Sequence, residues 1–353
     1  MGDHGWVKRR PGDAIPFTAG LTVPTIVYHT RVRALITGAT GFIGSHLAAA
    51  VFSQDQAAEV WGMGRPEPVH GRPEAALERL SMVDADLLDA GALHAVVARI
   101  RPDVVYHLAG FAAVAEAWTA TRELFEVNIL GTAALLDALR AVGFGGRVVL
   151  ACSAEAYGPV PPAELPVSED RPLRPISPYG VSKAAAELLA VQQHLAARLR
   201  TVRLRLFNAC GPGQSERFVV ASLAHQVAEI EANRRPPVLE VGALDTRRDF
   251  VDVRDVARAF VRAAEDGEGG AVYNVATGHS RTVRAVLDEL LSISGVRAEV
   301  RSDPVRLRPV DIPALEGDAS RLNAATGWAA EVPFPQTLAD TLADWRSRSG
   351  RGA

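Results

Sequence analysis

Residues 32–44 read Val32-Arg33-Ala34-Leu35-Ile36-Thr37-Gly38-Ala39-Thr40-Gly41-Phe42-Ile43-Gly44. An apolar run of strand character enters a turn with three glycines, and a helix-forming stretch leaves it. Glycine adopts positive φ and lets backbone approach a ligand closely. The N-terminus of the following helix offers free N–H groups and a partial positive charge to a pyrophosphate. The spacing G-x-x-G-x-x-G is a variant of the dinucleotide-binding fingerprint. The plain alternative is a tight strand–helix turn with no ligand.

A second stretch, Ser177-Pro178-Tyr179-Gly180-Val181-Ser182-Lys183, sets a tyrosine and a lysine four residues apart. Ser177 suits an N-cap and Pro178 the first helical position, and the run 178–199 is rich in alanine and leucine. On a helix, positions i and i+4 share a face. An ammonium beside a phenol favours its ionised form, so Tyr179 is expected to exchange a proton near neutral pH. Ser153 ends the apolar run 147–152, at the C-terminal end of a predicted strand. Ligands of open α/β sheets bind at such strand ends.

Around these stretches, strands and helices alternate. Strands are expected at 32–37, 59–63, 103–108, 147–153 and 201–207, and helices at 42–53, 123–142 and 178–199. Strict alternation predicts an α/β fold of Rossmann type, a doubly wound parallel sheet. After Gly211 the pattern breaks into a smaller α/β substrate lobe. Helices are expected there near 218–232 and 283–292, and short strands at 238–241 and 271–276. The expected division is an irregular N-terminal extension (1–30), a dinucleotide-binding domain (31–210) and a substrate lobe (211–353) from which some segments return to the main domain.

Lys and Arg number 38 against 41 Asp and Glu, a net charge of −3 that advertises no nucleic-acid partner. No apolar run reaches the roughly 18 residues of a membrane span. The two cysteines, Cys152 and Cys210, read as small core residues, which fits a reducing cytoplasm. The histidines show no metal-ligand spacing. His107, at the end of an apolar strand, reads as a satisfied core residue.

The chain resembles the extended short-chain dehydrogenase/reductases that act on nucleotide sugars, over roughly residues 32–345. The resemblance rests on T-G-A-T-G-F-I-G (37–44), H-L-A-G (107–110), N-I-L-G-T (128–132), S-A-E-A-Y-G (153–158), S-P-Y-G-V-S-K (177–183) and R-L-F-N (205–208). It also rests on G-P-G-Q-S (211–215), V-G-A-L-D-T-R-R-D-F-V-D-V-R-D (241–255), R-P-V-D-I-P-A-L-E-G-D (308–318) and T-G-W (326–328). Within that family it is most similar to the GDP-mannose branch of reductases and 4,6-dehydratases.

The resemblance implies that Tyr179 exchanges a proton with the sugar C4 oxygen, that Lys183 holds a nicotinamide ribose hydroxyl, and that Ser153 hydrogen-bonds the same sugar oxygen. Glu155 stands where dehydratases keep the base for C5; Ala154 beside it weighs against that reading. Gly38, Thr40, Gly41, Phe42, Ile43, Gly44, Leu87, Leu108, Ala109 and Asn128 are implied to line the cofactor, with Asp86 on the adenine. Asn208, Arg248 and Arg308 are implied to meet the substrate. For the two arginines the alternative is ion pairing with nearby carboxylates, more plausible for Arg254 and Arg258 than for them.

At the end of the second strand, Gly64 takes the place of the acid that marks NAD sites, and Arg65 follows. A guanidinium binds a 2′-phosphate that a carboxylate would repel. NADP(H) is therefore the expected cofactor, with NAD(H) possible; Arg72 and Arg79 are further candidates for that phosphate. The expected activity is reduction of a GDP-linked 4-keto-6-deoxy sugar, in a homodimer joined through helices 123–142 and 178–199. The alternatives are GDP-mannose 4,6-dehydration, C4 epimerisation and, remotely, a dinucleotide-sensing regulator without catalysis.

Overall fold

Strand β1 (Arg33–Thr37) hydrogen-bonds in parallel to β2 (Glu59–Met63) on one side and to β4 (Val104–His107) on the other. The structure is a computed structural model that describes residues 31–64, 71–112, 116–307 and 310–350. Arg65, Arg308 and the 1–30 segment lie outside the described residues.

Among the described residues the main sheet has the order β10-β6-β5-β4-β1-β2-β3, with every pairing parallel. Its remaining strands are β3 (Ser81–Val83), β5 (Arg147–Ser153), β6 (Arg200–Leu206) and β10 (Val272–Val275). The order reverses direction between β1 and β4, so a crevice opens there beyond the strand ends. Alternate residues supply both faces: Ala34, Ile36 and Tyr106 feed one apolar cluster, Leu35 and Val105 the other. Burial on both faces explains the unbroken apolar runs.

Helix α1 (Phe42–Gln54) follows β1 and packs on α8 (Val253–Glu265). Short α2 (Glu74–Glu78) and α3 (Ala90–Ile100) follow β2 and β3. Opposite lie α3, α5 (Gly131–Ala141) and α6 (Pro178–Ala197). The expected helix at 123–142 is α4 (Thr121–Phe125) running into α5 through one π-helical turn, Glu126–Leu130. Ser177 caps α6 as its residue type required, accepting the Gly180 N–H at 3.0 Å.

The second part is built on β7 (Asn208–Cys210), α7 (Val219–Glu231), β8 (Val238–Val241), β9 (Arg247–Asp252), β11 (Ser280–Thr282), α9 (Val283–Ser294), β12 (Glu299–Ser302) and β13 (Ala314–Leu315). Two small sheets result, β11-β9-β13 with β7 on β9, and β12-β8. Helices α10 (Ser320–Thr326) and α11 (Phe334–Gly350) end the chain, α11 packing on α7. Residues 253–275 contribute α8 and β10 to the main sheet's surroundings. Among the described residues no helix is long and apolar enough to cross a membrane.

Candidate active site

The glycine turn sits at the head of β1. Gly38 has φ +72°, and a Cβ there would lie 2.8 Å from the Ala109 nitrogen. A Cβ on Gly44 would lie 2.1 Å from the Gly38 carbonyl oxygen, so α1 reaches the turn only because residue 44 has no side chain. Gly41 begins α1 with no side-chain cap. The N–H groups of Phe42 and Ile43, without a capping side chain, suit an anion. This cradle fits a dinucleotide pyrophosphate. Leu108 and Ala109 close its far side: their N–H groups bond the Thr37 carbonyl (3.2 Å) and the Thr37 hydroxyl (3.1 Å).

Gly64 ends the β2 rim beside Thr40, whose Oγ1 would lie 2.8 Å from a Cβ there. Thr40 thus fills space that an acidic side chain at position 64 would need. Arg72 reaches the same turn and donates to the Thr40 carbonyl. Arg79 does not join them: it stacks 3.8 Å over Phe52 and donates to the Gln56 carbonyl, at the far end of α1. Asp86 is exposed and accepts the Leu88 N–H, while buried Leu87 packs on Gly131.

Across the crevice, β5 delivers Ser153 and α6 delivers Tyr179 and Lys183. The Ser153 oxygen accepts the Glu155 N–H at 3.2 Å, which leaves its own proton to give. Burial pushes the Tyr179 phenol well above its ordinary pKa; hydrogen bonding with Ser153 opposes this, and the Glu155 carboxylate adds to it. Lys183 Nζ donates to the Ala151 carbonyl at 3.0 Å and lies 5.9 Å from the Tyr179 ring centre. Burial lowers its pKa. The lowering of the phenol expected from the ammonium is not found: burial governs Tyr179, and Ser153 supplies what opposes it.

Asn128 lies buried inside the π turn, within the helix expected at 123–142. Its Oδ1 accepts the Phe111 N–H (2.7 Å), and its Nδ2 donates to the Phe111 carbonyl (3.1 Å) and to Ser182 Oγ (2.9 Å). Gly110 is pressed between these groups: a Cβ there would lie 2.7 Å from Asn128 Oδ1 and 3.7 Å from Lys183 Nζ. Neither Gly110 nor Ser182 stood out in the sequence; H-L-A-G and the segment between Tyr179 and Lys183 carried the signal.

Asn208 begins β7, paired with Phe250 and two register positions from Arg248 of β9. Arg248 is buried and ion-paired to Asp311 at 2.6 Å, and it also donates to the Ile312 carbonyl. Pairing was expected of Arg254 and Arg258, which bind Asp252 and Asp255, and less so of Arg248. The reason is tertiary: Asp311 comes alongside only when β13 joins β9. Cys152 is buried with its thiol pKa raised by burial, unsuited to nucleophilic work.

Residues 35–341 match the family model described as GDP-mannose 4,6 dehydratase. GDP-6-deoxy-D-mannose reductase of Pseudomonas aeruginosa is 38% identical over 316 residues, 90% of this chain and 98% of that protein. The structure of RMD from Pseudomonas aeruginosa complexed with NADPH superposes with a TM-score of 0.78 at 36% identity, covering 90% of this chain and 100% of that one. UDP-glucose 4-epimerase of Thermus thermophilus, in complex with NAD, has a TM-score of 0.80 at 32% identity, covering 91% of this chain and 100% of that one.

Proposed function

The chain belongs to the GDP-mannose 4,6-dehydratase family, and from that premise we propose that it reduces a GDP-linked 4-keto-6-deoxyhexose at C4 with NADPH. The observation that carries the reading is the meeting of Ser153, Tyr179 and Lys183 at the crevice beside the glycine turn. The likeness to a GDP-6-deoxy-D-mannose reductase over 98% of its length supports reduction rather than dehydration.

The glycine turn and the first turn of α1 hold the cofactor's pyrophosphate. Arg65 takes the 2′-phosphate, and Gly64, beside Thr40, carries no carboxylate to repel it. When bound, the nicotinamide supplies the hydride. Ser153 then donates its proton toward the C4 carbonyl oxygen and orients it. Tyr179 transfers its own proton to that oxygen as the alcohol forms. A phenol held protonated by burial is in the right state to donate, and the Lys183 charge offsets the phenolate left behind. Glu155 borders the sugar. Asn208, Arg248 and Arg308 are assigned to the nucleotide diphosphate, Arg248 with its fork pre-set by Asp311.

The test is stoichiometry. With a GDP-4-keto-6-deoxyhexose, NADPH absorbance is expected to fall one for one with product. If GDP-mannose alone instead gives a 4-keto sugar with no net change in NADPH, the protein is a dehydratase.

We also propose a homodimer through α6 and the neighbouring π turn. Val181, Leu188 and Leu195, seven residues apart on α6, are exposed, as is Leu130. An apolar stripe of that spacing suits a helix seam. The double variant Leu188→Glu, Leu195→Glu is expected to halve the mass seen by sedimentation equilibrium. A wild-type chain that already sediments at its single-chain mass rules out the dimer.

A further inference from the structure

His107 is buried between two threonines at the floor of the crevice. Its Nδ1 lies 2.8 Å from Thr37 Oγ1 and its Nε2 lies 2.9 Å from Thr132 Oγ1. The direction of every proton in this row follows from its ends. The Thr132 hydroxyl is 2.7 Å from the Asn128 carbonyl, which only accepts, so Thr132 gives its proton there. Thr132 must then accept from His107, whose Nε2 carries the hydrogen. The bare Nδ1 accepts the Thr37 hydroxyl proton, and the Thr37 oxygen takes the Ala109 N–H.

Beyond Asn128 the row continues through Ser182 Oγ to the Tyr179 carbonyl at 2.8 Å. Two runs of hydrogen bonds thus meet at Asn128: one from the strand that carries the glycine turn ends on its carbonyl, and the other leaves its side-chain amide for the first turn of α6. They meet on the helix at its π turn, a geometry that α-helical sequence does not favour without tertiary partners.

We propose that His107 is a positioning residue, acting through Thr132 to hold the π turn and Asn128, and so to set Tyr179 and Lys183 at a fixed offset from the glycine turn. The inference rests on the assignment of Tyr179 and Lys183 as the proton-transfer group. A purely structural histidine would need only satisfied nitrogens; this one links β1, within the row, to the helix that bears Asn128. Burial, with the nearby Lys183 charge, lowers its pKa to about 3, which keeps the ring neutral. An ionised carboxylate or an ammonium at this place could not both accept and donate along the row.

The test uses Thr132→Val, which keeps volume and removes the hydroxyl, with Thr132→Ser as the rescue. Per folded enzyme, kcat is expected to fall about 10- to 100-fold, the scale of small misplacement of reacting groups. KM for the GDP-sugar should stay within about twofold, because Asn208 and Arg248 lie on other strands, and Thr132→Ser should restore kcat. A folded Thr132→Val enzyme with wild-type kcat overturns the proposal. Should that variant fail to fold, ¹⁵N NMR of the wild-type imidazole decides: the neutral Nε2–H tautomer from pH 5 to 8 is expected. The Nδ1–H tautomer or a charged ring overturns the proposal without touching the assignment of Tyr179, which the tyrosine variant tests separately.

Discussion

Tyr179→Phe is expected to lower kcat for the GDP-4-keto-6-deoxy sugar by at least ~100-fold, the usual worth of a positioned acid. The substitution removes one oxygen and leaves the ring, its burial and its place on α6 unchanged. NADPH affinity should therefore move little, and the loss should appear in kcat. Ser153 cannot replace the phenol: an aliphatic hydroxyl is a far weaker acid than a phenol. Steady-state NADPH oxidation measures the effect. A variant within a few-fold of wild type would remove Tyr179 from the chemistry and leave the fold assignment standing.

The second large effect is on stability. Arg205→Met is expected to destabilise the protein by about 3 kcal/mol, the lower end of the range for breaking a buried ion pair. Arg205 and Glu187 are 6% and 2% exposed and meet at 2.6 Å. Arg205 also donates to the Tyr157 hydroxyl (2.8 Å) and the Glu169 carbonyl (3.0 Å). Removing the guanidinium strands a buried carboxylate, and Arg203, 3.5 Å from Glu187, offsets only part of that loss. Replacing both partners, Arg205→Met with Glu187→Met, should recover part of the stability, because the buried carboxylate is gone and Arg203 alone loses its ion-pair partner. Chemical denaturation of the single and double variants measures this. A single-variant cost below about 1 kcal/mol, under the range for such a pair, would show that it does not hold α6 against β6.

The main sheet was readable because its signals are local. The strands at 59–63 and 147–153 and the cap at Ser177 match the observed elements, since apolar runs and N-cap chemistry depend on neighbours in sequence. Helix α8 was missed although Val253, Val256, Ala257 and Phe260 are buried at helical spacing. Its first residues lie inside R-R-D-F-V-D-V-R-D, where the pairing of Arg254 was expected but the Asp252 cap that opens the helix was not read. The π turn was illegible for a different reason. Nothing in Glu126–Leu130 asks for it; the Asn128 side chain is satisfied by the backbone of Phe111 and by Ser182, both distant in sequence.

By itself the order of residues determined that a glycine turn follows the first strand, that a phenol and an ammonium share a helix face, and that a serine ends a strand. Each depends on spacing over a few residues and on backbone rules that hold in any context. Only the tertiary structure decided that these groups meet across the reversal point between β1 and β4. It also decided that burial rather than the ammonium governs the phenol, that Arg248 is paired with Asp311, and that Arg79 lies at the wrong end of α1. Those outcomes depend on distance and desolvation between segments far apart in the chain, which the fold alone brings into contact.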